Sequence, residues 1–189
     1  MGGIKEKRYI KIPNFFTKEE LNFLQIYTKK IIKDGTFIDG QCKIELNYLQ
    51  NTVFASFHES KTKLVEEISK LNLLPTYNFA RIYTHHADLP LHKDKPTCEI
   101  SVTTSIDSCG TDWPITMDGE PISLKPGEAC LYLGCEVEHG RDYFKGLYAP
   151  QIFFHWVDKF GPFAQYKDWP TFWNHPNAKE HLKYLDKKL

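Results

Sequence analysis

Three residues of this sequence have side chains and a spacing suited to binding one metal ion. His92 and Asp94 lie two positions apart in the segment Leu91-His92-Lys93-Asp94, and His139 follows much further along the chain. Side chains two residues apart on a β-strand leave the same face, so a strand here would direct both at one ion. The pattern predicts that His92, Asp94 and His139 are metal ligands and catalytic residues.

Two imidazoles and one carboxylate form a ligand set that is characteristic of a particular class of metal centre. Placed on one face of an octahedron they leave three positions open, which is typical of oxygen-activating Fe(II) sites. A His-x-Asp triplet alone often occurs by chance as a surface histidine beside a solvated aspartate. The order of the surrounding features favours a metal site here, because strand, triplet, Pro-Gly turn, strand and distal histidine follow one another.

The elements that must position these residues begin with helices. Thr17 and Glu20 form a capping box, and apolar residues then recur at helical spacing. The predicted N-terminal elements are a strand at Tyr9–Ile12, a helix from Thr17 to about Ile32 and an amphipathic helix over about Lys61–Leu71.

Short strands dominate from residue 77 onward. Asp118-Gly119 is a strong hairpin signal, and Lys125–Glu128 is a turn containing Pro and Gly. The predicted strands are Tyr77–Tyr83, Cys98–Ile106, Ile115–Met117, Pro121–Leu124, Ala129–Leu133 and Gln151–Val157. A last helix is predicted near Ala178–Leu189. Helices followed by many short strands favour a mainly β fold with flanking α, a jelly roll braced by N-terminal helices.

The length of 189 residues fits one domain. We expect helical support over about 1–76, a catalytic jelly roll over about 77–158 and a C-terminal extension over about 159–189.

Composition narrows the functional classes. Basic and acidic residues balance at 24 each, so no nucleic-acid partner is expected. The five cysteines form no C-x-x-C pair and are typical of reduced thiols. The N-terminal segment lacks the apolar run of a signal peptide, and no stretch has the length of a membrane span. We therefore expect a cytoplasmic protein without a membrane partner.

The motifs resemble a known family. Ala80-Arg81-Ile82-Tyr83, then Leu89-Pro90-Leu91-His92-Lys93-Asp94, then Pro126–Gly134 with His139, resemble the prolyl-4-hydroxylase-like branch of the 2-oxoglutarate/Fe(II) dioxygenases. The resemblance covers roughly residues 77–158, and the lead-in YIKIPNFFTKEEL is also similar.

The resemblance implies a double-stranded β-helix, the jelly roll also found in cupins. It implies Fe(II), O2 and 2-oxoglutarate as cofactors, with ascorbate as a further candidate. The implied reaction couples decarboxylation of 2-oxoglutarate to hydroxylation of a peptidyl proline, an amino acid or another small molecule. Related halogenases carry a small residue where this chain has Asp94, so the carboxylate favours oxygenation.

The resemblance also indicates where 2-oxoglutarate would lie. Tyr83 occupies a position where the family commonly has a tyrosine lining this pocket. The family usually places a basic residue on the strand after the distal histidine, to hold the far carboxylate of 2-oxoglutarate. Here those positions are Tyr148 and Ala149, which carry no charge. The chain departs from the family pattern at this point.

Three cations are candidates for the missing anchor: Arg81, Arg141 and Lys145. The two arginines are preferred because a guanidinium can bind a carboxylate through two parallel hydrogen bonds. Gln151 is a further candidate for the cosubstrate pocket, since it shares a strand face with Phe153 and His155.

The remaining histidines and tryptophans receive weaker predictions. His155 is interpreted as a core histidine, and His85 and His86 as residues near the entrance. His58, His175 and His181 are predicted to be surface or helix residues. Trp156, Trp169 and Trp173 are predicted to pack, and Trp113 is a candidate wall of the substrate channel.

Two alternative functions remain open. A cupin-like metal-binding or regulatory protein would use the same three ligands without oxidation, and the missing anchor favours it. A structural β-domain with a coincidental motif is the other.

Overall fold

The computed structural model describes residues 2–31, 45–49 and 51–167. Its helices are α1 (Ile4–Lys7), α2 (Lys18–Ile31) and α3 (Thr52–Ser69), with short 3-10 turns at Pro96–Cys98 and Ala164–Tyr166. Its strands are β1 (Tyr9–Ile12), β2 (Glu45–Leu49), β3 (Leu73–Thr84), β4 (Leu89–His92), β5 (Ile100–Thr104), β6 (Ile115–Met117), β7 (Glu120–Ile122), β8 (Ala129–Leu133), β9 (His139–Arg141) and β10 (Tyr148–Asp158). None of the helices in these ranges is both long enough and apolar enough to cross a bilayer.

The strands form two antiparallel sheets. The larger sheet has the order β1-β8-β5-β10-β3-β2, and the smaller has the order β4-β9-β6-β7. Most neighbours within a sheet are not consecutive in the chain. From β3 to β10 the chain passes back and forth between the larger and the smaller sheet. The predicted mainly β architecture is confirmed.

The side-chain alternation of β10 shows how the larger sheet divides the interior. Ile152, Phe154 and Trp156 are fully buried and belong to the core cluster that also contains residues of α2 and α3. Trp156 donates from Nε1 to Thr62 Oγ1 on α3 at 3.0 Å. Residues of the opposite parity therefore face the smaller sheet, and that face holds the polar side chains of the site.

Local signals place α2 and the hairpin as predicted. Glu20 N donates to Thr17 Oγ1 at 3.2 Å and Thr17 N to Glu20 Oε2 at 2.8 Å, so the capping box is formed. Asp118 and Gly119 have φ of 49° and 88° between β6 and β7. A two-residue turn with both residues at positive φ fits the twist of a hairpin.

Several predicted boundaries were wrong: β3 begins at Leu73 and not at Tyr77, and β10 begins at Tyr148 and not at Gln151. The second helix begins at Thr52 and not at Lys61, because Asn51 caps it by accepting hydrogen bonds from Val53 N and Phe54 N. The predicted strand over Cys98–Ile106 is shorter, since Pro96–Cys98 is a 3-10 turn. The predicted features at Trp169, Trp173, His175, His181 and Ala178–Leu189 lie outside the described residues.

Candidate metal and cosubstrate site

The three predicted metal ligands come together at one edge of the smaller sheet. His92 ends β4 and His139 begins β9, and the two are directly opposite each other in the strand pairing. One ligand atom from each of His92, Asp94 and His139 lies within 4.8 Å of the others. Two imidazoles and a carboxylate are thus close enough to share one ion.

Asp94 reaches the site in a different way from the one predicted. The strand ends at His92, so Asp94 is not on a strand face and the argument from side-chain alternation does not apply to it. Its backbone N–H instead donates to Gly134 O at 2.8 Å, which ties the segment after β4 to the end of β8. The position of the carboxylate depends on this tertiary contact.

Both histidines are held with the same ring nitrogen free for a metal. His92 Nδ1 lies 2.8 Å from Pro90 O, and His139 Nδ1 lies 3.0 Å from Val137 O. A backbone carbonyl only accepts, so Nδ1 carries the proton of each neutral imidazole, and in that form Nε2 has a lone pair for a metal. His92 Nε2 and His139 Nε2 lie 3.6 Å and 3.7 Å from Asp94 Oδ1. These three atoms are the donor set for one ion.

The electrostatics of the three groups favour a neutral His139 and an ionised Asp94. Burial lowers the pKa of His139 below the ordinary histidine value. Burial works against ionisation of Asp94, but hydrogen bonding from His92 and the nearby His139 and His155 bring its pKa below the ordinary value. His92 has a raised pKa because Asp94 and Pro90 outweigh the effect of burial. A bound cation would replace the proton that Asp94 favours on His92.

Arg141 lies two residues after His139 on β9, so both side chains leave the same strand face. The strand separates them by about 7 Å along the sheet. The guanidinium is buried: Nη2 donates to Gln151 Oε1 at 3.1 Å and Nη1 to Trp113 O. Both acceptors are neutral, and burial lowers the pKa of Arg141 to about 10.

Arg141 still has unmet bonding capacity. Its Nε is buried without a hydrogen-bond partner among the residues that the structure describes. The salt bridges found within those residues include none to Arg141. A buried cation without a partner anion is costly, so this arrangement is suited to an anionic ligand.

The other predicted cosubstrate residues are divided between interior and surface. Arg81 is buried and lies opposite Gln151 in the pairing of β3 and β10, with Nη1 3.4 Å from Tyr83 Oη. Tyr83 is fully buried, and Gln151 is 3% exposed. Lys145 is exposed in the loop before β10, which argues against a role as a buried anchor.

Trp113 forms one wall beside these residues. Its ring lies 4.8 Å from the Arg141 guanidinium carbon and 4.9 Å from the Tyr83 ring. Nε1 donates to Asp142 O at 2.7 Å, which fixes the indole. Phe144 packs on the same ring, so the surroundings of the Arg141 guanidinium are aromatic on this side.

Sequence reasoning missed two hydroxyls next to Asp94. Ser101 Oγ lies 3.2 Å and Tyr132 Oη lies 3.4 Å from Asp94 Oδ2. Ser101 also lies 2.9 Å from Nδ1 of the buried His155, which agrees with the interpretation of His155 as a bonded core histidine. Side-chain alternation along the two predicted strands could have indicated that both hydroxyls face the site. Ser101 and Tyr132 are direct partners in the pairing of β5 and β8.

The histidines outside the site have different surroundings. His85 and His86 are exposed in the loop after β3, with ring centroids 4.0 Å apart. His58 lies on the helix α3, within the prediction of a surface or helix residue, and its side chain is only 4% exposed and packs against Phe154 and Trp156.

The chain matches no protein-family model, and no curated protein matches it. Solved structures do match its fold. HygX from Streptomyces hygroscopicus, solved with nickel and 2-oxoglutarate bound, is 10% identical with a TM-score of 0.64, covering 81% of this chain and 84% of HygX. A Pseudomonas putida prolyl-4-hydroxylase is 13% identical with a TM-score of 0.61, covering 78% of this chain and 92% of its own.

A viral collagen prolyl hydroxylase from Paramecium Bursaria Chlorella virus-1, solved with 2-oxoglutarate, is 12% identical. Its TM-score is 0.63, and the match covers 82% of this chain and 98% of the viral one. The predicted fold class is confirmed: the chain has the double-stranded β-helix fold of these 2-oxoglutarate/Fe(II) oxygenases.

Proposed function

We propose that this chain is a 2-oxoglutarate- and Fe(II)-dependent oxygenase that hydroxylates an organic substrate. The proposal rests mainly on one observation: His139, one member of a two-histidine, one-carboxylate donor set, lies on the same strand as a buried arginine for which no salt bridge is found among the described residues. The net reaction is R–H + O2 + 2-oxoglutarate → R–OH + succinate + CO2.

The donor set fits Fe(II). His92 Nε2, His139 Nε2 and Asp94 Oδ1 would hold the ion on one face, and both imidazoles are oriented by backbone carbonyls. Bound iron would supply the positions for O2 and for the keto acid of 2-oxoglutarate, and the redox chemistry of the reaction. A carboxylate ligand at Asp94 favours hydroxylation over halogenation.

Arg141 is the proposed anchor for the far carboxylate of 2-oxoglutarate. The spacing of about 7 Å between residues i and i+2 matches a five-carbon diacid bound to the metal at its other end. Gln151 and the carbonyl of Trp113 orient the guanidinium, while Tyr83 and Trp113 exclude water. Arg81 would add positive charge to the same pocket.

The position of this anchor accounts for the departure from the family pattern. The cation would come from β9 instead of from β10, where Tyr148 and Ala149 stand. Gln151 of β10 contacts the guanidinium, so both strands contribute to the same location. The chain would need no second basic residue on β10.

The substrate is proposed to be a small molecule or a peptidyl proline. HygX has been solved with hygromycin B bound, and two other neighbours are prolyl hydroxylases. Side-chain exposure of 24% at His92 against 3% at His139 indicates that a substrate approaches from the His92 side.

Uncoupled turnover tests the proposal without knowledge of the substrate. Purified protein with Fe(II), ascorbate and 2-oxoglutarate in air should form succinate slowly, and a substrate should accelerate this. Proline-containing peptides, free amino acids and aminoglycosides are the first panel to compare. No succinate from a protein that binds iron would favour the cupin-like metal-binding alternative.

A further inference from the structure

We propose that Ser101, supported by His155, and Tyr132 are positioning residues that hold Asp94 to the metal through one oxygen only. This inference rests on the proposed function and concerns its metal centre. No side chain of this group donates directly to the ion, so their effect would be exerted through Asp94.

The two oxygens of Asp94 have different surroundings. Oδ1 faces Nε2 of His92 and His139, at 3.6 Å and 3.7 Å. Oδ2 faces the hydroxyls of Ser101 and Tyr132, at 3.2 Å and 3.4 Å. One oxygen is therefore placed for the metal and the other for hydrogen-bond donors.

The hydroxyls come from a row across the larger sheet. Tyr132 of β8 lies opposite Ser101 of β5, and Ser101 lies opposite His155 of β10. All three are at most 5% exposed. Because neighbouring strands fix their spacing, the row is a rigid support under Asp94.

His155 determines how Ser101 can bond. Ser101 Oγ lies 2.9 Å from His155 Nδ1, 3.2 Å from Asp94 Oδ2 and 3.0 Å from Cys98 O, yet it has one proton to give. With Nδ1 of His155 protonated, the ring donates to Ser101 Oγ, and the serine proton is shared between Cys98 O at 3.0 Å and Asp94 Oδ2 at 3.2 Å. Ser101 and Tyr132 are then the two hydroxyl donors that face Oδ2.

The backbone around Asp94 leaves little room for rearrangement. A Cβ added at Gly134 would lie 2.7 Å from Asp94 Oδ2 and 2.9 Å from Ser101 Oγ. Gly134 O also accepts from Asp94 N at 2.8 Å. Glycine at this position lets the carboxylate approach the serine.

Single-oxygen binding matters because of the number of positions at the metal. Three protein donors leave three sites of an octahedron, and a chelating keto acid plus O2 need all three. An Asp94 that bound through both oxygens would occupy one of those sites. By holding Oδ2 away from the metal, Ser101 and Tyr132 would keep the positions for the cosubstrate and O2 open. Without these two hydroxyls the metal itself would stay bound.

A competing interpretation of the same residues is a second metal site. Asp94, Cys98 and His155 also have ligand atoms within 4.8 Å of one another. Their other contacts argue against it: Cys98 Sγ lies 3.1 Å from Tyr77 Oη, and His155 Nδ1 lies 2.9 Å from Ser101 Oγ. The metal stoichiometry separates the two, since positioning predicts one ion per chain.

The test measures Co(II) binding and 2-oxoglutarate binding separately by calorimetry, with the visible spectrum of the Co(II) protein. The variants are Ser101→Ala, Tyr132→Phe and the double variant. We expect 2-oxoglutarate binding to weaken about tenfold in the double variant, the lower end of outer-shell effects. Co(II) affinity should not fall with it, because the freed Asp94 oxygen would add a donor to the ion. Thr104→Val removes another buried hydroxyl of β5, bonded to Ile152 O, and should change neither affinity.

The outcomes are distinct. Unchanged 2-oxoglutarate affinity and an unchanged Co(II) spectrum in the double variant would overturn the positioning role alone. Parallel losses of Co(II) affinity, 2-oxoglutarate affinity and melting temperature would also overturn it, because they indicate a structural role. Two Co(II) ions per wild-type chain would support the second metal site instead. A wild-type protein that binds no 2-oxoglutarate would refute the proposed function itself.

Discussion

At the scale of single residues, the metal site depends on the side chains of His92, Asp94 and His139. We expect His92→Ala, Asp94→Ala and His139→Ala each to weaken Co(II) binding by more than about 100-fold, since losing a ligand exceeds the loss of an outer-shell partner. Succinate formation should disappear, while far-UV circular dichroism should stay that of a folded protein.

His85→Ala is the matched control for these variants, because its side chain is exposed in a loop. It should bind Co(II) like wild type. Normal Co(II) affinity in any one of the three ligand variants would remove that residue from the site.

The anchor gives a second prediction at this scale. Arg141→Leu should weaken 2-oxoglutarate binding to the Co(II) protein by about 2 kcal/mol, roughly 30-fold, because a charge-assisted hydrogen bond is lost. Arg141→Lys should retain part of the affinity, since it keeps charge without the forked geometry. Calorimetry measures both.

Lys145→Ala, which removes an exposed cation from the loop after β9, serves as the control and should bind 2-oxoglutarate normally. If Lys145→Ala loses affinity while Arg141→Leu does not, the anchor is misassigned. A loss in Arg81→Leu alone would move the anchor to β3.

Sequence was sufficient to select the two histidines but not to explain Asp94 or the anchor. The His-x-Asp triplet and the Pro-Gly turn before His139 selected the two histidines, although the strands β4 and β9 that carry and pair them were not among the predicted strands. Asp94 lies beyond the strand and depends on Gly134, a contact between distant segments. Arg141 could be preferred on chemical grounds, but its burial and its contact with Gln151 appear only once β9 and β10 are adjacent.

At the scale of elements, the cap of α3 is the feature most open to a test. Asn51 Oδ1 accepts from Val53 N at 3.0 Å and from Tyr27 Oη at 3.1 Å, joining α3 to α2. Asn51→Ala should lower the free energy of unfolding by about 1 kcal/mol, as measured by urea denaturation.

Ser56→Ala removes an exposed hydroxyl within α3 and should leave the free energy of unfolding within about 0.5 kcal/mol of wild type. Asn51→Asp keeps a capping acceptor and should restore most of the loss. Equal stability of Asn51→Ala and wild type would show that the helix start does not depend on this cap.

The boundary of α3 also shows what sequence patterns cannot detect. The predicted start at Lys61 missed the first turns, because two positions on the buried face of the helix carry polar residues, His58 and Lys61, between Phe57 and Leu64. The capping box at Thr17 and Glu20 was found because its two side chains are a local pattern. A capping pattern formed by neighbouring residues can be predicted from sequence. A helix start that also depends on a contact with another helix, as Asn51 does with Tyr27, cannot.

At the scale of the whole molecule, we expect the packing of α3 against the larger sheet to make the free energy of unfolding depend on pH in the acid range. His58 is packed against Phe154 and Trp156, and burial lowers its pKa to about 3, with nearby His155 acting in the same direction. The unfolded chain binds a proton near 6.5. Stability is therefore full above pH 6.5 and is lost as pH falls toward 3, by about 1.4 kcal/mol per unit.

His58→Phe should reduce this acid sensitivity, because no buried imidazole remains to be protonated there. Melting temperatures of the variant and wild type, compared between pH 7 and pH 5, measure the effect. His155 has its own lowered pKa, so part of the dependence should persist. An identical pH dependence in both proteins would mean that His58 does not control acid stability.

The central claim is that one pocket joins a metal held by His92, Asp94 and His139 to 2-oxoglutarate held by Arg141. Anaerobic titration of 2-oxoglutarate into the Fe(II) protein tests it most directly, because a chelated keto acid gives a visible charge-transfer band. We predict a saturable band in wild type, a weaker affinity in Arg141→Leu and no band in His139→Ala. Iron bound to wild-type protein without any such band would contradict the account.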